Sequence, residues 1–204
     1  MAISIVSAPP EIGLDDNGIL MSPEEFDAIE EYDDNYRYEL VHGVLIVNPI
    51  PDLGERDPNQ YLGHLLLSYG DCEPGASVLD LTIGEEYVRL PSSRRRADRV
   101  IWTGLGRYPD PKLDLPTIVV EFVSRRRRDR LRDYVLKRDE YLALGIREYW
   151  VIDRFQRDMT VFRPGPDGFE QQCIGEAETY RTPLLPGFEL PLARLLGRAD
   201  PRKQ

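Results

Sequence analysis

The sequence has few of the residues on which most metal, redox and disulfide-bonded sites depend. Among its 204 residues there are two cysteines, Cys72 and Cys173, and two histidines, His42 and His64. Two cysteines without a C-x-x-C arrangement exclude a disulfide framework and a four-cysteine zinc site. Any metal is therefore expected to be a hard cation, which carboxylate oxygens hold.

Long hydrophobic runs are also missing from the chain. Its uncharged apolar stretches extend over only a few residues, whereas a membrane-spanning helix needs about 20. The N-terminus has no basic region followed by an apolar stretch, so we expect a cytoplasmic protein with no membrane partner. At about 150 residues per domain, the length predicts one domain at 21–197, with a loose acidic leader at 1–20 and a tail at 198–204.

Acidic and basic residues are distributed unevenly along the chain. The formal net charge is -10, and residues 1–57 contain 14 acidic residues against two basic ones. Arg125–Arg138 contains eight basic residues and two acidic ones, and Arg94–Arg96 forms a second basic run. A local concentration of positive charge attracts a phosphate backbone even in an acidic protein. A solvated helix face is the alternative interpretation of the same cluster.

The pattern of apolar and turn-forming residues predicts alternating helices and strands. A capping box that begins at Ser22 starts a short helix, and Tyr38–Val47 predicts a β-hairpin that turns at His42-Gly43. A second helix is expected to begin at Asp57-Pro58. Together they predict an α/β (α+β) fold with a mixed central sheet. Further strands are predicted at Glu86–Leu90, Asp98–Thr103, Ile118–Ser124, Glu148–Asp153, Met159–Arg163 and Phe169–Ile174, with a helix at about Asp129–Leu144 and a short element at Leu192–Leu196.

Two carboxylates stand out in this pattern. Glu121 lies in the middle of the apolar strand Ile118–Ser124, where an unpartnered charge would cost several kcal/mol. Asp98 begins an earlier strand, and two acids on adjacent strands can hold one Mg²⁺. Glu39 is a third acid in an apolar strand. A purely structural interpretation also stays open, with Asp98 as a turn residue and Glu121 paired with an arginine.

Lys137 joins these acids through a geometric argument. After Glu121 the chain continues for about 10 Å along the strand, at 3.3 Å per residue. Eight helical residues from Asp129, at 1.5 Å each, bring it back by about 12 Å. We therefore expect Lys137 near the level of Glu121 if the helix packs antiparallel beside the strand. A surface lysine paired with Asp133 is the alternative.

An ordered set of motifs resembles the Uma-type restriction endonuclease family of the PD-(D/E)XK nuclease superfamily. The resemblance spans about residues 20–196, and each piece alone would be weak. It rests on R-x-x-D at Arg95–Asp98, I-V-V-E-F-V-S at Ile118–Ser124, R-D-Y-V-x-K-R-x-E-Y at Arg132–Tyr141, G-I-R-E-Y-W-V-I-D at Gly145–Asp153, Y-E-L-V-x-G at Tyr38–Gly43 and L-P-G-F-E-L at Leu185–Leu190.

The resemblance implies a restriction-endonuclease-like fold, a mixed central sheet flanked by helices, and metal-dependent phosphodiester hydrolysis. It assigns the metal-binding acids to Asp98 and Glu121, with Glu39 as an additional acid, and Mg²⁺ (or Mn²⁺) as the cofactor. The sequence departs from the motif at two positions. Ala97 replaces the proline before the first acid, and Val123 stands where the motif has its lysine, so that Lys137 is the matching amine.

DNA is the partner that these expectations imply. The arginines after the metal-bearing strand would contact its phosphates. The resemblance also implies that two nuclease domains can pair to cut both strands, as a homodimer, although no sequence feature identifies the interface. Two other classes of function stay open. One is a catalytically silent DNA- or nucleotide-binding module, and the other is a partner-binding protein whose acidic leader docks on a basic surface. The arginines assigned to DNA are Arg125, Arg126, Arg127, Arg128 and Arg130.

Overall fold

The computed structural model describes residues 12–72, 78–124, 132–166 and 168–200. The chain divides into two compact units, one made of residues 1–50 and 90–95 and the other of residues 51–89 and 96–204. None of the helices in the described ranges combines the length and the apolar character that a bilayer crossing requires.

The first unit contains the predicted capped helix and hairpin. Helix α1 (Pro23–Asp27) begins after Ser22, whose hydroxyl accepts a hydrogen bond from the Glu25 amide while the Glu25 carboxylate accepts one from the Ser22 amide. Strands β1 (Tyr36–Val41) and β2 (Val44–Pro49) pair antiparallel. His42 and Gly43 both have positive φ, 49° and 79°, as the two-residue turn of a tight hairpin requires.

Residues 12–20, which the sequence predicts as part of a loose leader, are bound along this hairpin. The Gly18 amide donates to the Leu45 carbonyl at 2.8 Å, and the Leu45 amide donates to the Ile19 carbonyl at 2.9 Å. The Asn17 side-chain oxygen accepts from the Val47 amide at 2.9 Å. Backbone pairing therefore orders this stretch, so looseness does not describe its residues 12–20.

The run Arg94–Arg96 does not form the basic surface expected from the sequence. Arg94 donates from Nε and Nη2 to the Asp27 carboxylate at 3.0 and 2.8 Å. Arg95 is only 1% exposed. In the second unit, Arg96 lies 3.3 Å from a carboxylate oxygen of Glu85. Because these charges are paired or buried, the run contributes little free positive potential.

The second unit contains a large mixed sheet. Its strands are β3 (Leu79–Leu90), β4 (Ser93–Thr103), β5 (Ile118–Phe122), β6 (Glu148–Asp153), β7 (Asp158–Gly165) and β8 (Gly168–Gly175). Their order is β4-β5-β6-β7-β8, with β3 paired to β4. The β5–β6 pair is parallel, whereas β4–β5, β6–β7 and β7–β8 are antiparallel. This arrangement confirms the predicted fold class.

Helix α2 (Leu53–Cys72) begins four residues before the predicted start, and Pro58 lies inside it. The cause is Asp52, whose carboxylate accepts a hydrogen bond from the Glu55 amide at 3.1 Å. A side-chain oxygen at this position satisfies one of the amides that the first helical turn leaves unbonded.

The helix predicted at 129–144 is described from residue 132 onward and has two parts. A π-helical turn (Arg132–Lys137) continues into helix α3 (Arg138–Leu144), which Gly145 ends at a φ of 103°. The remaining elements are β9 (Thr179–Tyr180), β10 (Leu190–Pro191) and helix α4 (Leu192–Leu196).

Alternation along the strands gives this sheet two different faces. On one face Ile101, Val120 and Ile152 pack in the main hydrophobic core with Leu62 of α2. Residues at odd positions of β5 point to the opposite face, because successive side chains of a strand alternate. That second face carries the candidate site.

Candidate active site on strands β4 and β5

Glu121 is a buried carboxylate in the middle of the sheet. All five residues of β5 are buried, and Glu121 is 4% exposed. It shares its face of the strand with Val119, and in the parallel register it lies opposite Val151 of β6. Because Val119 and Val151 offer it no hydrogen bond, a charge at this buried position needs a cation or hydrogen-bond donors.

Asp98 lies beside Glu121 on the neighbouring strand. Arg99 pairs with Val120 in the antiparallel register, so the preceding residue of β4 comes opposite the following residue of β5. The Asp98 Oδ2 atom accepts a hydrogen bond from the Phe122 amide at 2.7 Å. This bond fixes the carboxylate against the backbone of β5, one residue after Glu121.

Lys137 supplies the cation. Its Nζ atom lies 2.7 Å from Glu121 Oε1, and its side chain is 2% exposed. The Tyr141 hydroxyl donates to the same oxygen at 3.3 Å. Lys137 is the last residue of the π-helical turn, and such turns are often found at functional sites. The position expected from strand and helix rise therefore agrees with the structure, and Lys137 is buried, whereas the alternative interpretation made it a surface lysine.

Helix α3 reaches this position because it packs on the same face of the sheet. The Tyr141 and Tyr149 rings meet edge to face, with their centroids 5.1 Å apart. The backbone after Lys137 is thus fixed against β6, and the buried lysine brings its ammonium to the carboxylate of Glu121.

The remaining predicted site residues are Glu39 and five arginines. Glu39 belongs to the first unit, where it is buried and accepts a hydrogen bond from Asn48 Nδ2 at 3.4 Å. The five arginines assigned to DNA lie outside the described residues. They are Arg125, Arg126, Arg127, Arg128 and Arg130.

The donor set of this site suits one hard divalent cation. Within the described ranges no three His, Cys, Asp or Glu side chains cluster as metal ligands. Asp98 and Glu121 are two carboxylates on one face, and Mg²⁺ is commonly held by one or two carboxylates together with water and substrate phosphate. The residues therefore fit Mg²⁺ and do not form an all-protein cage.

Sequence reasoning missed a buried arginine next to Asp98. Arg99 is 8% exposed, and its Nε and Nη2 atoms donate to the side-chain and backbone oxygens of Asn59 at 2.8 and 3.0 Å. Its Nη1 atom donates to the Thr82 hydroxyl at 3.1 Å. Burial lowers the pKa of Arg99 to about 10, against the opposing influence of the Asp98 charge. Alternation places its side chain on the core face, which its apolar neighbours could have indicated.

A second buried carboxylate, Glu148, belongs to a different network. It accepts hydrogen bonds from Trp150, Tyr180 and Thr182, each at 2.8 Å, and from Arg163 at 2.9 Å. Burial is the main cause that raises the pKa of Tyr180. Four donors occupy the Glu148 oxygens, so this network stabilises the fold and does not resemble a catalytic site.

Comparison with known proteins agrees with this architecture. A family model named Uma2 and described as "Putative restriction endonuclease" matches residues 23–193. The chain is similar to the crystal structure of a protein from Anabaena variabilis, titled a "putative nuclease belonging to DUF820", with a TM-score of 0.67 and 14% sequence identity. That similarity covers 88% of this chain and 99% of the other, and at this identity it shows the fold alone. No curated protein matches the chain.

Proposed function

The chain belongs to the Uma2 family, and on that premise we propose that it is a Mg²⁺-dependent DNA endonuclease with a PD-(D/E)XK-type site. The proposal is supported by the strand register, which sets Asp98 opposite Glu121, and by the contact of Lys137 Nζ with Glu121 Oε1 at 2.7 Å. Two acids on neighbouring strands and one amine from the next helix provide the charges that phosphodiester hydrolysis requires.

Asp98 and Glu121 would hold the cation, with the Phe122 carbonyl as a further oxygen ligand and Mn²⁺ as an alternative ion. When bound, such an ion supplies Lewis-acid stabilisation of the negative charge that develops on the phosphodiester. The Phe122 amide keeps the Asp98 carboxylate in place, and the Tyr141 hydroxyl does the same for Glu121.

Lys137 would act on the attacking water. Its ammonium would orient the water through a hydrogen bond, or its neutral amine would take the proton of that water as the water oxygen bonds to phosphorus. In the same displacement the P–O bond to the leaving deoxyribose oxygen would break, and that oxygen would take a proton from solvent. The positive charge also offsets the charge of the pentavalent transition state. The same ammonium pairs with Glu121, which stabilises both groups in the buried site.

DNA would be bound through phosphate contacts of the arginines at 125–128 and 130, which directly follow the metal-bearing strand in sequence. Counterion release then makes affinity fall steeply with salt. A homodimer would bring one site to each strand of the duplex. A double-stranded substrate therefore tests both the binding of DNA phosphates and the cleavage of the two strands.

Conversion of supercoiled plasmid to nicked and linear forms tests the activity. We expect cleavage with Mg²⁺ or Mn²⁺, none with EDTA, and a loss of at least about 100-fold in Asp98→Asn, Glu121→Gln and Lys137→Met, since removal of one charge-stabilising group costs 10²–10³ in rate. Glu189→Gln is the matched control, because Glu189 is an exposed carboxylate paired with Arg181.

Three outcomes separate the candidate functions. Metal-dependent nicking that all three site variants lose supports the endonuclease. Salt-sensitive DNA binding without nicking contradicts the endonuclease and favours a silent binding module. Absence of DNA binding at every salt concentration favours a protein-binding role instead.

A further inference from the structure

Arg99 places a guanidinium inside the second unit, next to a proposed metal ligand in sequence but on the opposite face of β4. Within the described residues, the hydrogen-bond acceptors of Arg99 are neutral: the side-chain and backbone oxygens of Asn59 and the hydroxyl of Thr82. A buried cation without a carboxylate hydrogen-bonded to it is costly, and it needs an explanation beyond packing.

The contact with Asn59 determines which way that amide faces. A guanidinium N–H can only donate, so the Asn59 atom next to Arg99 Nε must be the oxygen. The Asn59 Nδ2 atom then points the other way and donates to the backbone carbonyl of Asp98 at 2.7 Å. Arg99, through Asn59, thus links helix α2 to the backbone of the residue that carries the proposed metal ligand.

A glycine of α2 makes room for this guanidinium. A Cβ atom at Gly63 would lie 2.6 Å from Arg99 Nη2, whereas one at Gly84 of β3 would make only an ordinary van der Waals contact of 3.4 Å with the same atom. A side chain at Gly63 would therefore force the guanidinium to shift from this position. Gly63 leaves space for Arg99, Arg99 binds Asn59, and Asn59 binds the backbone of Asp98. We call the space at Gly63 the glycine cradle.

We propose that Arg99 is a positioning residue: it orients Asn59 so that α2 holds the backbone of Asp98, and thereby the Asp98 carboxylate, in place for the divalent cation. This inference rests on the proposed function. Asp98 is fixed at its side chain by the Phe122 amide and at its carbonyl by Asn59. Partners behind metal ligands typically change metal affinity or activity by 10- to 100-fold.

The isosteric variant Asn59→Asp tests this role. It keeps oxygen acceptors for Arg99 and adds an opposite charge beside it, but it replaces the donor to the Asp98 carbonyl with a second oxygen. We expect Mn²⁺ affinity, measured by calorimetry, and kcat for plasmid nicking to fall about 10- to 100-fold, with KM for DNA unchanged. The denaturation midpoint should stay near that of the wild type.

Thr82→Val is the matched control. It removes a different acceptor of the same guanidinium and leaves the Asn59–Asp98 hydrogen bond intact. A purely structural role of Arg99 predicts that this variant and Asn59→Asp behave alike. The positioning role predicts that Thr82→Val lowers the denaturation midpoint. Mn²⁺ affinity and kcat should stay within about twofold of the wild-type values, because Thr82 does not contact the proposed metal ligand Asp98 or hold its backbone.

Arg99→Lys provides a second test should Asn59→Asp fail to fold. It keeps the charge, but a point ammonium cannot reproduce the fork that bonds both Asn59 oxygens. A folded Arg99→Lys or Asn59→Asp variant with wild-type Mn²⁺ affinity and kcat overturns the role of Arg99. Wild-type protein that takes up no Mn²⁺ overturns the proposed function and this role together.

Discussion

Replacing Lys137 with methionine would leave Glu121 as a buried carboxylate without its cation. Methionine has a similar volume, so the change removes the ammonium and little packing. The Tyr141 hydroxyl stays near the same oxygen, but its distance of 3.3 Å is long for an O–H···O bond and compensates weakly. We therefore expect the free energy of unfolding to fall markedly in the absence of divalent ions.

Breaking a buried ion pair by removing one partner costs about 3–5 kcal/mol. Because the 2.7 Å contact joins side chains that are only 2% and 5% exposed, we place this site within that range, at about 3 kcal/mol. For a chain of 150–250 residues each kcal/mol lowers Tm by about 2–4 °C. The expected decrease is thus about 6–12 °C for this loss.

A double-mutant cycle isolates the pair. Glu121→Gln alone leaves a buried ammonium and should cost a similar amount, whereas the double variant with Lys137→Met has no unpaired charge at the site. The free energy of unfolding of the double variant should fall by less than the sum of the decreases in the two single variants, and the difference should be about 2 kcal/mol or more.

Urea denaturation followed by circular dichroism, with EDTA present, measures these differences. Lys112→Met is the control, since Lys112 is exposed and its replacement should change stability by less than about 0.5 kcal/mol. Additive single effects, or a Lys137→Met variant as stable as this control, would refute the argument that the two side chains are paired in a buried site.

Magnesium extends the same experiment to the proposed site. A divalent cation at Asp98 and Glu121 would replace the missing positive charge, so Lys137→Met should gain more stability from Mg²⁺ than the wild type gains. Ligand at 100 times its Kd adds about 2.7 kcal/mol. The double variant, which lacks the Glu121 carboxylate, should gain much less.

Two further substitutions test the surroundings of the site. Glu148→Gln places an amide nitrogen against a ring of donors, so we expect a loss of about 3 kcal/mol in urea denaturation. Unchanged stability would contradict the four-donor network. Gly63→Ala puts a Cβ atom 2.6 Å from Arg99 Nη2 and should cost about 1–3 kcal/mol. Gly70→Ala, on the same helix with ordinary contacts, should be neutral or stabilising by up to about 1 kcal/mol, and equal losses in both would contradict the cradle.

The elements nearest the site follow from local patterns in the sequence. Alternation and apolar runs fix which residues of β5 are buried, and the fixed rise per residue of strand and helix places Lys137 near Glu121 across 16 residues. The hairpin at His42-Gly43 follows from the need for positive φ in a two-residue turn. Each of these inferences depends on geometry that neighbouring residues determine.

Contacts between distant segments could not be derived in this way. The early start of α2 depends on Asp52. Arg154, 102 residues further along the chain, donates hydrogen bonds to the Asp52 carboxylate and thereby lowers its pKa. The burial of Arg99 depends on Asn59, 40 residues earlier, and on a glycine that leaves space for it. Neither partner carries a local sequence signal: alternation indicates that Arg99 faces the core, but it does not identify the groups that the guanidinium binds there.

The position of the amine shows how these two kinds of information combine. Position 123 lies on the same face as Glu121, but it holds a fully buried valine whose amide bonds the Ile152 carbonyl. The strand alone would determine the position of a lysine at 123, because every second side chain of a strand points to the same face of the sheet. Lys137 is placed instead by the packing of α3, where Tyr141 contacts both Tyr149 and Glu121. The charge balance of the site therefore depends on the docking of a helix onto the sheet, so a change that loosens this docking should separate Lys137 from Glu121 while both strands stay paired.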